Sequence, residues 1–186
     1  MNTNLIHLVR RIVGLITVVL LVCLVWFALI TRFAPSAGYQ LFTISGGSME
    51  PTIPLGSMVA DTAVDPASIV VGDIVTIEAD NGVIITHRIA SVSDQADGIF
   101  FQLKGDANAS PDASLVPARA IIGRVSIWVP GAGYVRSFLS SAPGMVAALA
   151  LVGGLALIYM LVGMLDPRAR LDGQDEPVKN LDPVAR

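Results

Sequence analysis

Gly72-Asp73-Ile74-Val75-Thr76-Ile77-Glu78-Ala79-Asp80-Asn81-Gly82-Val83-Ile84-Ile85-Thr86-His87-Arg88-Ile89-Ala90-Ser91-Val92 is the stretch on which the fold turns. Two runs rich in Val, Ile and Thr flank Asp80-Asn81-Gly82. Asn-Gly readily takes the positive φ angles of a tight hairpin, so the runs predict strands at Ile74 to Ala79 and Val83 to Val92. Side chains alternate along a strand, which places Val83, Ile85, His87 and Ile89 on one face. A histidine is thereby set into an apolar row.

Working outward, short apolar segments separated by turn residues predict further strands at 41–44, Met58 to Ala60, Ile99 to Leu103 and Ile121 to Val129. Gly56 and Asp61 bound the second of these, Asp97-Gly98 makes a second hairpin, and Pro130-Gly131 closes the last. Thr31 to Gly38 reads as a linker and Lys104 to Pro117 as irregular. No segment between residues 31 and 144 carries a 3.6-residue apolar period, and there is no internal repeat. The prediction is a mostly β domain.

Beyond this region the composition changes. The chain has 186 residues, 53% of them hydrophobic, with a mean hydropathy of +0.68. Ile12 to Ile30 is 19 residues and Met145 to Leu165 is 21, both without a charge. At 1.5 Å per residue each reaches about 30 Å, the thickness of a bilayer core. The expected organisation is a tail at 1–11, a transmembrane helix at 12–31, a β-rich domain at 32–144, a second transmembrane helix at 145–165 and a disordered tail at 166–186. His7, Arg10 and Arg11 precede the first span, and Arg168 and Arg170 follow the second. That bias puts both tails in the cytoplasm and the β-rich domain outside, as in a multi-pass cell-membrane protein. A cleaved signal peptide is the alternative for the first span, with Ser36-Ala37-Gly38 as its small-residue site. Cys23 is the single cysteine, so no disulfide or thiolate zinc site forms within the chain, and no metal or cofactor is expected. A net charge of −3 without a basic patch argues against nucleic acid as a partner.

Chemistry is suggested at Ile44-Ser45-Gly46-Gly47-Ser48-Met49-Glu50-Pro51-Thr52-Ile53-Pro54. Gly46 and Gly47 permit unusual backbone angles and the close approach of a second chain, while Pro51 and Pro54 hold the loop open. A bare Gly-Gly-Ser is as a rule a surface loop, so Ser48 needs partners to count as a nucleophile. An alcohol attacks an amide only with a base in reach, and His87 is the one histidine between the spans. A lone histidine on an apolar face is more often a hydrogen-bonded core residue. Asp106 and Asp112 are candidates to orient the imidazole, and either also suits a turn. Lys104, the only lysine between the spans, is the alternative base; its place at a strand end suits it better to offsetting nearby acids.

Ser-Met-Glu-Pro-Thr (48–52), Gly-Asp-Ile-Val (72–75), Thr-His-Arg-Ile (86–89) and Lys-Gly-Asp-Ala-Asn (104–108) followed by Asp112 occur in that order. Together, over residues 45 to about 130, they closely resemble type I signal peptidase, in the branch shared by the endoplasmic reticulum, archaea and some Gram-positive bacteria. The resemblance implies a membrane-anchored, β-rich serine endopeptidase that removes signal peptides from exported preproteins. It implies Ser48 as nucleophile, His87 where the common bacterial branch has a lysine, Asp112 as the acid completing the triad, and Asp106 as a second required acid. The implied partners are signal peptides, membrane lipid and the secretion translocon.

One departure concerns the oxyanion hole. The bacterial branch often has a hydroxyl residue two positions before the nucleophile, and here that position is Gly46. Ser45 or another backbone amide is the expected substitute. Substrate would be an extended segment with small residues at −3 and −1, added to a strand edge near Ser48. Ile44, Ile53, Val83 and Ile85 are the expected pocket walls, with Gly46 and Gly47 beside them. The competing reading is a catalytically degenerate, membrane-anchored β module that binds or assembles surface proteins, favoured by the missing side chain at Gly46.

Overall fold

The structure, a computed structural model, describes residues 3–164. The expected tail at 166–186, the last residue of the expected second span, and Lys179 lie outside the described residues. The chain divides into two compact units, one of residues 27–145 and one of the residues up to 26 and from 146 onward.

The unit of residues 27–145 is built on a seven-stranded antiparallel sheet in the order β1-β2-β7-β3-β4-β5-β6. The hairpin predicted from Asn81-Gly82 forms its centre: β3 (Ile74–Glu78) pairs with β4 (Ile84–Gln95), Val75 opposite His87 and Ile77 opposite Ile85. Gly82 has φ 76° and donates its N–H to Ala79 O. Val83 falls just outside β4. The turn ends on it, its N–H bonds Asn81 Oδ1 at 3.1 Å, and it stays exposed.

β1 (Tyr39–Thr43), β2 (Met58–Thr62), β5 (Gly98–Lys104) and β7 (Ile121–Val129) match the other expected strands to within two residues. Two elements were not expected. β6 (Leu115–Pro117) adds to β5 in the stretch read as irregular; three residues are too few to show alternation. An α-helix, α2 (Ala132–Ser140), follows β7 where no helix was expected. Nine residues span only two and a half turns, and its glycine, serines and tyrosine blur the period. Packing determines it instead. Gly133 sits so close to the main chain that a Cβ would lie 2.7 Å from Gly56 O, and Arg136 Nη1 donates to Leu41 O at 2.8 Å.

Two apolar clusters fill the sheet. Val75, Ile77, Ile89, Phe101 and Leu103 pack with Ile69. Ile44, Met49, Ile53, Val59 and Ile74 form the second. Asp61, expected to bound β2, lies inside that strand at 1% exposure, with neither carboxylate oxygen hydrogen-bonded.

α1 (Thr3–Phe33) precedes the sheet and α3 (Ala142–Met164) follows α2. Both are long and apolar enough to cross a membrane. α1 ends just before Pro35, whose ring cannot continue it. α3 starts three residues earlier than its apolar run suggests, because Ser141 Oγ accepts the Gly144 N–H at 3.1 Å and caps it.

Candidate active site

Ser48 stands on a loop, residues 44–57, that is closed at its neck. Ile44 N–H donates to Ser57 O and Gly56 N–H to Ile44 O, each at 2.9 Å. Met49 and Ile53 point inward and are essentially fully buried, so the loop is a packed unit rather than a loose strap. Neither Gly46 nor Gly47 takes a positive φ; the loop uses their small size, not unusual angles.

His87 reaches this loop from β4. Its Nε2 lies 3.0 Å from Ser48 Oγ and its Nδ1 lies 2.6 Å from Asp112 Oδ2. With Nδ1–H donated to the carboxylate, Nε2 is the acceptor for the serine proton. The imidazole is nearly buried while the Asp112 side chain keeps 30% of its surface in solvent. Asp112 is fixed by its own main chain: its N–H donates to Leu103 O at 2.8 Å, and its carbonyl accepts from Gln102 Nε2. Hydroxyl, imidazole and carboxylate thus form one hydrogen-bonded line, an arrangement able to pass a proton from oxygen to nitrogen.

Asp106 is placed beside this line and not in it. Its carboxylate takes a two-pronged bond from Arg88, Nε to Oδ1 at 2.8 Å and Nη2 to Oδ2 at 2.7 Å. The Arg88 bond, helped by the Thr52 hydroxyl and opposed by burial, holds the Asp106 carboxyl below the usual carboxylate range. Arg88 Nη1 also donates to Gly72 O at 2.8 Å. Three of the four sequence blocks are therefore joined through Arg88, a residue to which sequence reasoning assigned no role. Its position next to His87 was the available signal. Arg88, not Lys104, offsets Asp106. Lys104 lies across from Arg88 in the β4–β5 register and makes no bond to Ser48 or His87 among the described residues.

The loop after β5 also touches Ser48 directly. Ala107 N–H donates to Ser48 O at 2.8 Å. A Cβ on Gly105 would come within 2.7 Å of Ser48 O and 2.9 Å of Ser48 Cβ.

A groove of about 510 Å³ opens beside Ser48, walled by Phe42, Ile44, Gly46, Val83, Ile85 and Thr86 among others. Ile53, expected as a wall, is instead at 0% exposure in the second core cluster, because its side chain fills the inside of the serine loop. Gly47 faces the Glu50 carboxylate rather than the groove. β5 pairs with β4 only from Arg88 onward, so Ile84 to His87 present an unpaired edge on that side. At Gly46 a side chain would meet nothing within 4 Å. Ser45 Oγ leans toward Thr43 O, at 3.5 Å. The Ser48 N–H donates to no backbone carbonyl among the described residues.

No family model matches the chain. Over 80 residues it is 36% identical to Signal peptidase I W of Bacillus subtilis (strain 168), a stretch that makes up 42% of this chain and 42% of that protein. The chain thus aligns with less than half the length of this curated relative. The similarity supports the resemblance to the type I signal peptidase family, and a β-rich domain with two apolar helices is consistent with it.

Proposed function

We propose that this protein is a membrane-bound serine endopeptidase that removes N-terminal signal peptides from exported preproteins, cutting after small residues at −3 and −1. The observation that carries the reading is the line from Ser48 Oγ to His87 Nε2 at 3.0 Å and from His87 Nδ1 to Asp112 at 2.6 Å, at the mouth of the groove. His87 takes the Ser48 proton as Oγ attacks the scissile carbonyl carbon. The oxyanion of the tetrahedral intermediate is received by the Ser48 N–H. The imidazolium, held by Asp112, then protonates the leaving amine. A water deprotonated by the same nitrogen releases the acyl group, and Ser48 recovers its proton.

Asp106 is a positioning residue: with Arg88 it ties the loop of residues 104–112 to β4. Substrate binds as an added strand along Ile84 to His87, its small side chains entering between Ile44 and Ile85. Both helices span the membrane with the tails in the cytoplasm and the peptidase domain outside. Confinement to one plane with the signal peptide raises the effective concentration of each for the other. Lipid and the translocon are the remaining partners in this reading.

Two expected results test it. Wild-type protein should be acylated by a serine-reactive inhibitor and cut a model preprotein, and Lys104→Ala should do both within about threefold of wild type, since no proton passes through Lys104. Loss of cleavage in a folded Lys104→Ala protein would move the base role to that lysine. Absence of any acylation at Ser48 in the wild type would favour the non-catalytic β module. Gly105→Ala should lower cleavage about a hundredfold with Ser48 still present, because the added methyl displaces the nucleophile's main chain by a fraction of an ångström or more. Turnover measured alongside the melting temperature checks this, and wild-type turnover would contradict it.

A further inference from the structure

The unit containing the start of α1 and most of α3 has a cavity of about 630 Å³ between the two helices. That volume lies within the range of small-ligand sites, about 300–1,000 Å³. One end is cationic. Arg10 and Arg11 line it with His7, immediately before the apolar run of α1 begins. The Arg10 guanidinium carbon lies 4.9 Å from the centre of the Tyr159 ring, and a Cβ on Gly163 would come within 3.2 Å of that carbon. Arg10 Nε is buried with no hydrogen-bond partner. Arg10 is thus held by a ring face and a glycine gap while its buried N–H stays unanswered.

Among the described residues of this unit there is no acid to answer it. Residues 3–26 and 146–164 contain no Asp or Glu. Two adjacent guanidinium groups repel each other, and their forks suit a phosphate's oxygens. The other end of the cavity is apolar, lined by Leu15, Val18 and Ala156. A ligand that fits carries a phosphate at one end and hydrocarbon at the other, at the depth where headgroups meet the bilayer core. Basic pockets between transmembrane helices on the cytoplasmic side take lipid headgroups for this reason.

We propose that Arg10 and Arg11, with the Tyr159 ring, bind the phosphate of an anionic phospholipid, whose acyl chains lie along Leu15, Val18 and Ala156. The site requires only that both helices lie in a bilayer, so it stands or falls separately from the peptidase reading.

The full chain is reconstituted in phosphatidylcholine nanodiscs containing a minority of phosphatidylglycerol, and the lipids it retains on release are counted by native mass spectrometry. Wild type is expected to retain phosphatidylglycerol enriched severalfold over its share of the bilayer. Arg10→Gln/Arg11→Gln should lose that enrichment with helix content by circular dichroism unchanged. Arg10→Lys/Arg11→Lys keeps the charge and should keep part of it. Inorganic phosphate at millimolar concentration should not displace the lipid. Equal retention of both lipids by wild type, or enrichment that survives in the glutamine variant, overturns the proposal. So does complete loss in the lysine variant, or displacement by phosphate, which would make the occupant a free anion.

Discussion

Ser48→Ala is expected to lower turnover of a model preprotein by about six powers of ten, and His87→Ala by nearly as much. The two changes should not add. In the proposed mechanism Oγ is a nucleophile only while Nε2 can accept its proton across 3.0 Å, so once either atom is gone the other has nothing to contribute. Asp112→Asn should cost about four powers of ten instead, because the ring stays in place. Its amide, presenting NH₂ to Nδ1, favours the tautomer with the proton on Nε2, where it is useless to Ser48. Single-turnover cleavage at enzyme excess, with every variant checked for a wild-type melting temperature, reads wild type, the three single variants and the Ser48→Ala/His87→Ala double variant on one scale. A double variant far slower than Ser48→Ala alone would contradict the shared proton path. Asp112→Asn at the wild-type rate would remove the carboxylate from the mechanism.

How far this site was legible in the sequence depended on which kind of interaction carries each part. The β3–β4 hairpin was written locally, since Asn81-Gly82 sets the turn and strand alternation places His87 beside Val75. The order of the four blocks placed serine, histidine and acids in one chain segment. Their meeting is non-local: β4, the serine loop and the segment after β5 come from three stretches of the chain, and only the folded sheet brings them together. The different roles of Asp106 and Asp112 came only with the resemblance, since either acid alone suits a turn; that a two-pronged bond from Arg88 holds Asp106 is something no spacing announces. Ile53 was misplaced for a related reason. Whether an isoleucine in a loop faces outward or fills the loop depends on closure at Ile44 and Ser57, a contact between residues thirteen apart. α2 escaped notice because its helix is stabilised by a glycine contact and one arginine bond, not by a periodic face.

Asp61→Asn is expected to stabilise the protein at pH 8 by about 3 kcal/mol and to have almost no effect near pH 4. The carboxyl is at 1% exposure on β2, and neither oxygen has a hydrogen-bond partner. Burial pushes it up to about 6, and the Thr76 hydroxyl, itself 2.9 Å from Thr86 Oγ1, opposes that rise. A carboxyl raised by about two pH units corresponds to about 3 kcal/mol. The direction follows from proton counts. Below about pH 4 the group is neutral folded and unfolded alike, and it costs nothing. Between about 4 and 6 the unfolded chain releases the proton while the folded one keeps it, so stability falls as pH rises. Above 6 the folded state carries a buried, unpaired charge and the full cost is present. Asparagine never ionises, and its buried amide resembles the protonated acid, so the variant should lose this slope. Thermal unfolding of the full chain in detergent, followed by fluorescence of Trp128 opposite Val59 on the neighbouring strand, should show a gain of roughly 10 °C at pH 8. Parallel melting curves for wild type and variant across pH 4 to 8 would mean that Asp61 stays charged at no cost, held by a hydrogen bond such as one from the Thr76 hydroxyl.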